Sequence, residues 1–150
     1  MRVLPLTLED CGQAARLHQA AFFKGWKEKD FQEFLKNPLI YGLKTEENHD
    51  LSGFILWREV EDEAEILTLV VAPFHQRKGR GSFLLTSLFE ILIKKRIQNL
   101  FLEVAEDNHQ AQGFYRKHDF SLQSKRPGYY PREGGKLIPA FIFFRKLCKI

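Results

Sequence analysis

Residues 64–82 read AEILTLVVAPFHQRKGRGS. The apolar first half predicts a β-strand, and Ala72-Pro73 ends it. The second half is a basic, glycine-rich turn that leads into a long segment with one apolar face. The free N–H groups at a helix start and the positive end of the helix dipole both favour phosphate. A strand, turn and helix in this order therefore predict an anion-binding site.

The turn itself differs from two common nucleotide-binding motifs. Residues 76–81 read QRKGRG, which lacks the Lys-Ser/Thr ending of a triphosphate-binding P-loop. The motif also lacks the three-glycine spacing of a dinucleotide fingerprint. On these residues alone, a basic, solvated helix start is at least as good an interpretation as an anion site.

The composition is that of an ordinary globular chain. The 150 residues are 44% hydrophobic and 28% charged, which predicts one domain over residues 1–150. The net charge of +4 is compatible with nucleic acid, with an anionic cofactor, or with no charged partner. Cys11 and Cys148 have no metal-binding spacing, so we expect free thiols. With no apolar run of signal-peptide or membrane-spanning length, the expected location is the cytoplasm.

The order of predicted elements is β-α-α-β-β-β-α-β-α-β-β, a mixed sheet with helices on its faces. Residues 100–104 form a continuous apolar strand interrupted by Glu103, which predicts burial on both faces and parallel pairing. Near the end of the chain, we expect a strand over residues 120–124, a loop over 126–136 and a last strand over 137–145.

Gln-X-X-Gly-X-Gly after a strand ending in Val-X-Pro resembles the acetyl-coenzyme A loop of the GNAT acyltransferase superfamily. The resemblance covers most of residues 64–131 and continues through Leu102-Glu103-Val104, Asn108, Phe114-Tyr115 and Phe120. Within the superfamily, the spacings are most similar to the RimI-type N-terminal acetyltransferases of ribosomal protein alanine. Tyr129-Tyr130-Pro131 and Trp26-Lys27-Glu28 also fit that branch.

The resemblance implies a mixed α/β (α+β) architecture, the GNAT acyl-CoA N-acyltransferase fold, whose mostly antiparallel central sheet is flanked by helices. It also implies acetyl-CoA as the cofactor, with coenzyme A as product. The implied cofactor-binding residues are Leu69, Val70 and Val71 for the pantetheine arm, Gln76, Arg77, Lys78, Gly79, Arg80, Gly81 and Ser82 for the diphosphate, and Asn108. The two glycines are expected to matter more than any one cation, and Asn108 is equally well explained as a helix cap.

The resemblance also implies two catalytic residues and direct attack of the amine on the thioester, without a metal. Glu103 is the candidate general base, because an isolated carboxylate is costly to bury as a charge and so suits proton uptake. An ion-paired or strand-end glutamate is the alternative. Tyr115 is the candidate general acid toward the coenzyme A sulfur, and a core aromatic residue is its alternative.

Trp26, Tyr129 and Tyr130 could line a slot for an extended N-terminal peptide, although ordinary loop and core packing would also explain them. The expected acceptor is a protein N-terminus, such as that of a small-subunit ribosomal protein. A lysine side chain, a small-molecule amine and a non-catalytic module that senses coenzyme A or binds RNA remain alternatives. We expect no direct contact with nucleic acid or membrane, and a monomer or weak dimer.

Overall fold

The computed structural model describes residues 2–76 and 78–147, so Arg77 and Cys148, both given roles above, lie outside the described residues. The strands are β1 (Leu4–Pro5), β2 (Ile40–Glu47), β3 (Asp50–Val60), β4 (Glu63–Val71), β5 (Asn99–Ala105), β6 (Ser121–Pro131) and β7 (Leu137–Lys146). The helices are α1 (Cys11–Ala21), α2 (Glu28–Lys36), α3 (Arg80–Lys94) and α4 (His109–Lys117). This succession confirms the predicted element order.

The seven strands form one sheet in the order β1-β2-β3-β4-β5-β7-β6. Only β4 and β5 are parallel, and α3 makes the crossover between them. All other neighbouring strands are antiparallel. The mixed, mostly antiparallel sheet that was predicted is therefore confirmed.

Each face of the sheet packs against its own pair of helices. On one face, Leu84, Leu88 and Leu92 of α3 are fully buried, as their spacing of four residues along the helix predicts. On the other face, Ala14 and Ala15 of α1 are buried together with helix α2.

The prediction of a loop over residues 126–136 was wrong for its first half, because β6 continues to Pro131. The pairing of β6 with β7 is irregular, with a register shift between Arg126 and Tyr130 where Pro127 and Gly128 lie. Gly128 has a φ of +60°. Proline and glycine are tolerated on an edge strand at such irregularities. They marked a break in the pairing here, and not the end of the strand.

His18 connects the end of α1 to the start of α2. Its Nδ1 accepts a hydrogen bond of 2.9 Å from the Trp26 N–H, and its ring stacks on the Trp26 indole with centroids 4.4 Å apart. Burial lowers the pKa of His18 to about 4, and the nearby Asp30 carboxylate opposes this change. His18 is therefore neutral at pH 7 and structural in role. The amino-acid pattern alone did not single it out.

We expect the protein to lose stability as the pH falls from 6.5 to about 4. In this window the unfolded state binds a proton on His18 and the folded state does not, so the free energy of unfolding decreases by up to about 3 kcal/mol. Urea denaturation at several pH values measures this. His18→Gln, with a side chain that does not titrate, should show a smaller loss, whereas His109→Gln at an exposed position should follow wild type. Parallel curves for wild type and His18→Gln would contradict the prediction.

Candidate active site

The parallel strands β4 and β5 separate partway along their length. Their pairing ends at Ile66 and Leu102, although β4 continues to Val71 and β5 to Ala105. Both strands keep their other neighbours over these residues. A gap therefore opens in the middle of the sheet.

A β-bulge in β4 coincides with the start of the gap. Trp57 of β3 pairs with Ile66 and Leu56 pairs with Thr68, which leaves Leu67 as an extra residue on β4. A bulge bends the strand that carries it and increases its twist. The bend lies next to the last β4–β5 pair at Ile66, and it accounts for the departure of β4 from β5.

The predicted pantetheine edge, Leu69, Val70 and Val71, lies beyond the bulge. Its side toward β3 is paired as far as Gly53 and Val71, while its side toward β5 faces the gap. Alternate residues of such an edge present unpaired N–H and C=O groups. A bound molecule with peptide-like bonds could pair with these groups.

The glycine turn gives α3 an open start. Gly79 has a left-handed backbone conformation (φ +78°). The first α-helical hydrogen bond runs from the Phe83 N–H to the Gly79 carbonyl at 2.9 Å. The N–H groups of Arg80, Gly81 and Ser82 precede that ladder, so they lack partners within the helix. Three amides at the positive end of a helix fit a phosphate group.

Two side chains of the turn have partners within the protein. The Gln76 side chain donates to the Val71 carbonyl at 3.2 Å, which ties the turn to the end of β4. Arg80 was predicted to bind the cofactor, but its guanidinium is buried and paired with the Glu47 carboxylate at the end of β2. Its Nη2 is the nitrogen in this ion pair, whereas Nε and Nη1 are buried without a hydrogen-bond partner among the described residues, and the cofactor contact of Arg80 stays a prediction. Lys78 is exposed.

Gly81 has space for a methyl group within the protein. A Cβ there would lie 3.5 Å from the Phe114 ring and 3.7 Å from Val71, both ordinary contacts. The expected need for glycine at position 81 would therefore have to come from a bound molecule, whereas Gly79 is favoured by its own backbone conformation.

Glu103 is not the isolated carboxylate that was expected. Leu100, Leu102, Val104 and Ala105 of β5 are buried, whereas Phe101 and Glu103 on the other face are half-buried, so the prediction of burial on both faces was wrong. Its Oε1 lies 3.3 Å from Nη1 of Arg126 on β6, an ion pair. The alternative interpretation of an ion-paired glutamate thus describes its contacts, and the role as general base stays a prediction.

Tyr115 and Tyr130 lie close together, and Tyr130 lies near Glu103. Tyr115 is 8% exposed, and its ring packs edge-to-face against Phe120 with centroids 5.4 Å apart. Burial raises the pKa of Tyr115, and the neighbouring Tyr130 raises it further. Burial also raises the pKa of Tyr130, with an added contribution from the negative charge of Glu103. Both phenols are protonated at neutral pH and can donate a hydrogen bond.

The other predicted site residues have local partners. Trp26 packs against His18, Phe31 and Phe34 on the α1–α2 side of the sheet. Its ring contacts among the described residues are thus those of core packing. Tyr129 is 46% exposed, with the Arg126 guanidinium 4.7 Å from its ring centroid.

Asn108 caps helix α4, since its Oδ1 accepts from the Ala111 N–H at 3.1 Å. This is the cap alternative, and the cofactor contact of Asn108 stays a prediction. Sequence reasoning missed the ion pairs that join the turn after β5 to the β6–β7 hairpin. Glu106 pairs with Lys125 at 2.8 Å and Asp107 with Arg132 at 2.7 Å.

A separate groove of about 370 Å³ lies at the β1–β2 edge of the sheet and is lined in part by Leu8, Tyr41 and Ile91. Lys95 is the charged side chain that lines it, so it offers no paired acid and base. Across the described residues, no group of three or more His, Cys, Asp or Glu could hold a metal ion. The β4–β5 gap is therefore the better candidate for chemistry.

The acetyltransferase (GNAT) family model matches residues 12–120. This chain belongs to the GNAT acetyltransferase family. A curated relative, the [ribosomal protein bS18]-alanine N-acetyltransferase of Escherichia coli K12, is 30% identical over 131 residues, which are 87% of this chain and 88% of the relative. The chain is thus an N-acetyltransferase by family and by the name of its relative.

Solved structures of GNAT proteins are also similar to this one. The crystal structure of the ribosomal-protein-S18-alanine N-acetyltransferase from Escherichia coli has a TM-score of 0.90, with 28% identity and coverage of 99% of this chain and 95% of that one. Arabidopsis thaliana NAA60 in complex with acetyl-CoA has a TM-score of 0.83, with 16% identity and 97% coverage of both chains, and this likeness shows the fold alone.

In this GNAT acetyltransferase, the match to the family model includes the β4–β5 gap, the glycine turn, Glu103 and Tyr115. Tyr129 and Tyr130 lie beyond its end. None of the helices in the described part of this GNAT chain has the length and apolarity to cross a membrane.

Proposed function

We propose that this GNAT acetyltransferase transfers an acetyl group from acetyl-CoA to the α-amino group of a protein N-terminus. One observation carries the proposal: β4 and β5 separate beyond Ile66 and Leu102, with the open amides of α3 after β4 and the Glu103 carboxylate on β5 beside the gap. The amides suit a diphosphate and the carboxylate suits acyl transfer to an amine. A GNAT neighbour solved with acetyl-CoA supports this choice of acyl donor.

The residues around the gap fit the parts of acetyl-CoA. The unpaired edge at Leu69, Val70 and Val71 would hold the amide-containing pantetheine arm, and the amides of Arg80, Gly81 and Ser82 would hold the diphosphate. Lys78, exposed at the turn, would add a positive charge. When bound, acetyl-CoA supplies the activated thioester that the amine attacks.

Two side chains would act in the transfer, one as a proton acceptor and one as a hydrogen-bond donor. Glu103 takes up the proton that the amine loses as its nitrogen forms the new amide bond, and Arg126 holds the carboxylate in place. Tyr115 donates a hydrogen bond to the sulfur as the carbon–sulfur bond breaks. Its raised pKa keeps the phenol protonated for this purpose.

A protein N-terminus is the proposed acceptor because its amine needs the least free energy to become neutral. An α-amino group has a pKa near ~8 and a lysine amine near ~10.4, so the neutral α-amine costs roughly 3 kcal/mol less to form at neutral pH. The relative from Escherichia coli is named for alanine of ribosomal protein bS18. We therefore propose an N-terminal alanine, as in a small-subunit ribosomal protein, with Tyr129 and Tyr130 beside the peptide.

Mass spectrometry of peptide products tests the acceptor. The protein and acetyl-CoA are incubated with a peptide that begins with alanine and contains no lysine, with its Nα-blocked lysine-containing counterpart, and with a small polyamine. We expect acetylation of the free alanine terminus. Acetylation of lysine or the polyamine instead would show that the acceptor is wrong, and no modification of any of them would count against acetyl transfer itself.

Replacement of Gly79 by alanine should weaken coenzyme A binding about tenfold. A residue with a Cβ is disfavoured by about 1–2 kcal/mol in the left-handed conformation, so the turn would shift its amides. Isothermal titration calorimetry measures the dissociation constant. Gly134→Ala is a matched control, because Gly134 has a φ of +79° and equally open surroundings in the β6–β7 loop. Equal affinities for the two variants would contradict a role of the turn conformation in binding.

A further inference from the structure

His118 joins the end of α4 to the first turn of α3. Its Nε2 lies 3.0 Å from the Ser82 hydroxyl oxygen, and its ring packs at a tilt on Phe114 with centroids 4.9 Å apart. The His118 carbonyl accepts from Nε of Arg145 on β7 at 3.0 Å. Three elements of the fold therefore set the position of this half-buried imidazole.

Ser82 is the third residue of α3 and belongs to the open start of that helix. A hydroxyl group has one hydrogen to donate. If His118 Nε2 carries no proton, the Ser82 hydroxyl donates to it and turns its hydrogen away from the amides. If Nε2 carries a proton, His118 donates to the Ser82 oxygen, and the hydroxyl hydrogen is free for an anion.

We propose that His118 is a positioning residue of the cofactor site: with Nε2 protonated, it donates to Ser82 and directs the Ser82 hydroxyl toward the diphosphate. This inference rests on the proposed use of acetyl-CoA, and it adds a residue outside the glycine turn to the site. The interaction is charge-assisted on the diphosphate side, which makes it stronger than a neutral hydrogen bond.

The proposal makes cofactor binding dependent on pH. Burial lowers the pKa of His118, as do Lys117 and Arg145, and Asp119 opposes them. On the α3 side, Ser82 is the polar partner. A bound diphosphate adds negative charge nearby and favours the imidazolium, so binding should tighten as the pH falls from 8 to 6.

Four variants and one control test the inference by calorimetry with coenzyme A. His118→Leu should weaken binding about five- to tenfold, and His118→Gln, which offers an N–H donor but does not titrate, should restore most of it. Ser82→Ala should weaken binding similarly, and the double variant Ser82→Ala/His118→Leu should bind no worse than Ser82→Ala.

The advantage of wild type over His118→Gln in coenzyme A affinity should grow as the pH falls. His109→Leu, at an exposed position of the same helix, should bind as wild type does.

S-acetylpantetheine, an acyl donor without the diphosphate, separates positioning from folding. We expect kcat/KM with this donor to be the same for wild type and His118→Leu. A parallel loss with both donors, or additive effects of the two single variants, would overturn the inference. Equal coenzyme A affinity of wild type and His118→Leu would overturn it too and leave the proposed function intact, whereas no binding by wild type would remove the proposed function.

Discussion

Tyr115→Phe should lower kcat about 100-fold while the dissociation constant for coenzyme A stays within about twofold of wild type. Tyr115 is buried between Phe114 and Phe120, so phenylalanine retains the packing and removes only the hydroxyl group. That hydroxyl is the proposed hydrogen-bond donor to the departing sulfur. Steady-state kinetics with an alanine-initiated peptide and calorimetry with coenzyme A measure the two quantities.

Tyr41→Phe is the control for this experiment. Tyr41 is 39% exposed on β2, and its ring stacks on Trp57. Strand β2 lies toward one edge of the sheet and β6 forms the other edge. We expect wild-type turnover for this variant. A threefold or smaller change in kcat for Tyr115→Phe would show that its hydroxyl has no catalytic role, and a matching loss of coenzyme A affinity would assign it to packing.

Glu103→Gln should lower kcat/KM about 100-fold and remove the acidic limb of the pH–rate profile. Glutamine has nearly the same shape and can still accept from Arg126, but it takes up no proton in this range. The rate of wild type and variant is measured from pH 5 to 9 with the same alanine-initiated peptide. An unchanged profile would dismiss Glu103 as the base.

Glu106→Gln separates base chemistry from attachment of the β6–β7 hairpin. Glu106 pairs with Lys125, next to Arg126 on the same strand, so this variant also loses one ion pair between β6 and the end of β5. Its rate should stay within about twofold of wild type, since exposed ion pairs contribute little to stability. If Glu103→Gln and Glu106→Gln lowered the rate to a similar extent, the position of the hairpin would explain both losses, and proton uptake by Glu103 would not be needed.

The amino-acid sequence by itself determined the features that depend on neighbouring residues. The apolar strand, the break at Ala72-Pro73 and the glycine turn of residues 64–82 predicted β4 and the open start of α3. The four-residue spacing of buried leucines predicted the inner face of α3. These features follow from backbone preferences and periodicity, which are properties of short segments.

Only the tertiary structure decided the partners of the polar side chains. Arg80 turns inward to Glu47, Glu103 meets Arg126, and His118 reaches Ser82. Each pair joins residues more than twenty positions apart, so no local pattern reveals it. The extension of β6 to Pro131 likewise depends on its pairing with β7, which overrides the turn preference of Pro127 and Gly128. The sequence therefore located β4 and the glycine turn, whereas the gap and the side chains around it depend on long-range contacts, because strand pairing, burial and charge pairing arise only when distant segments pack together.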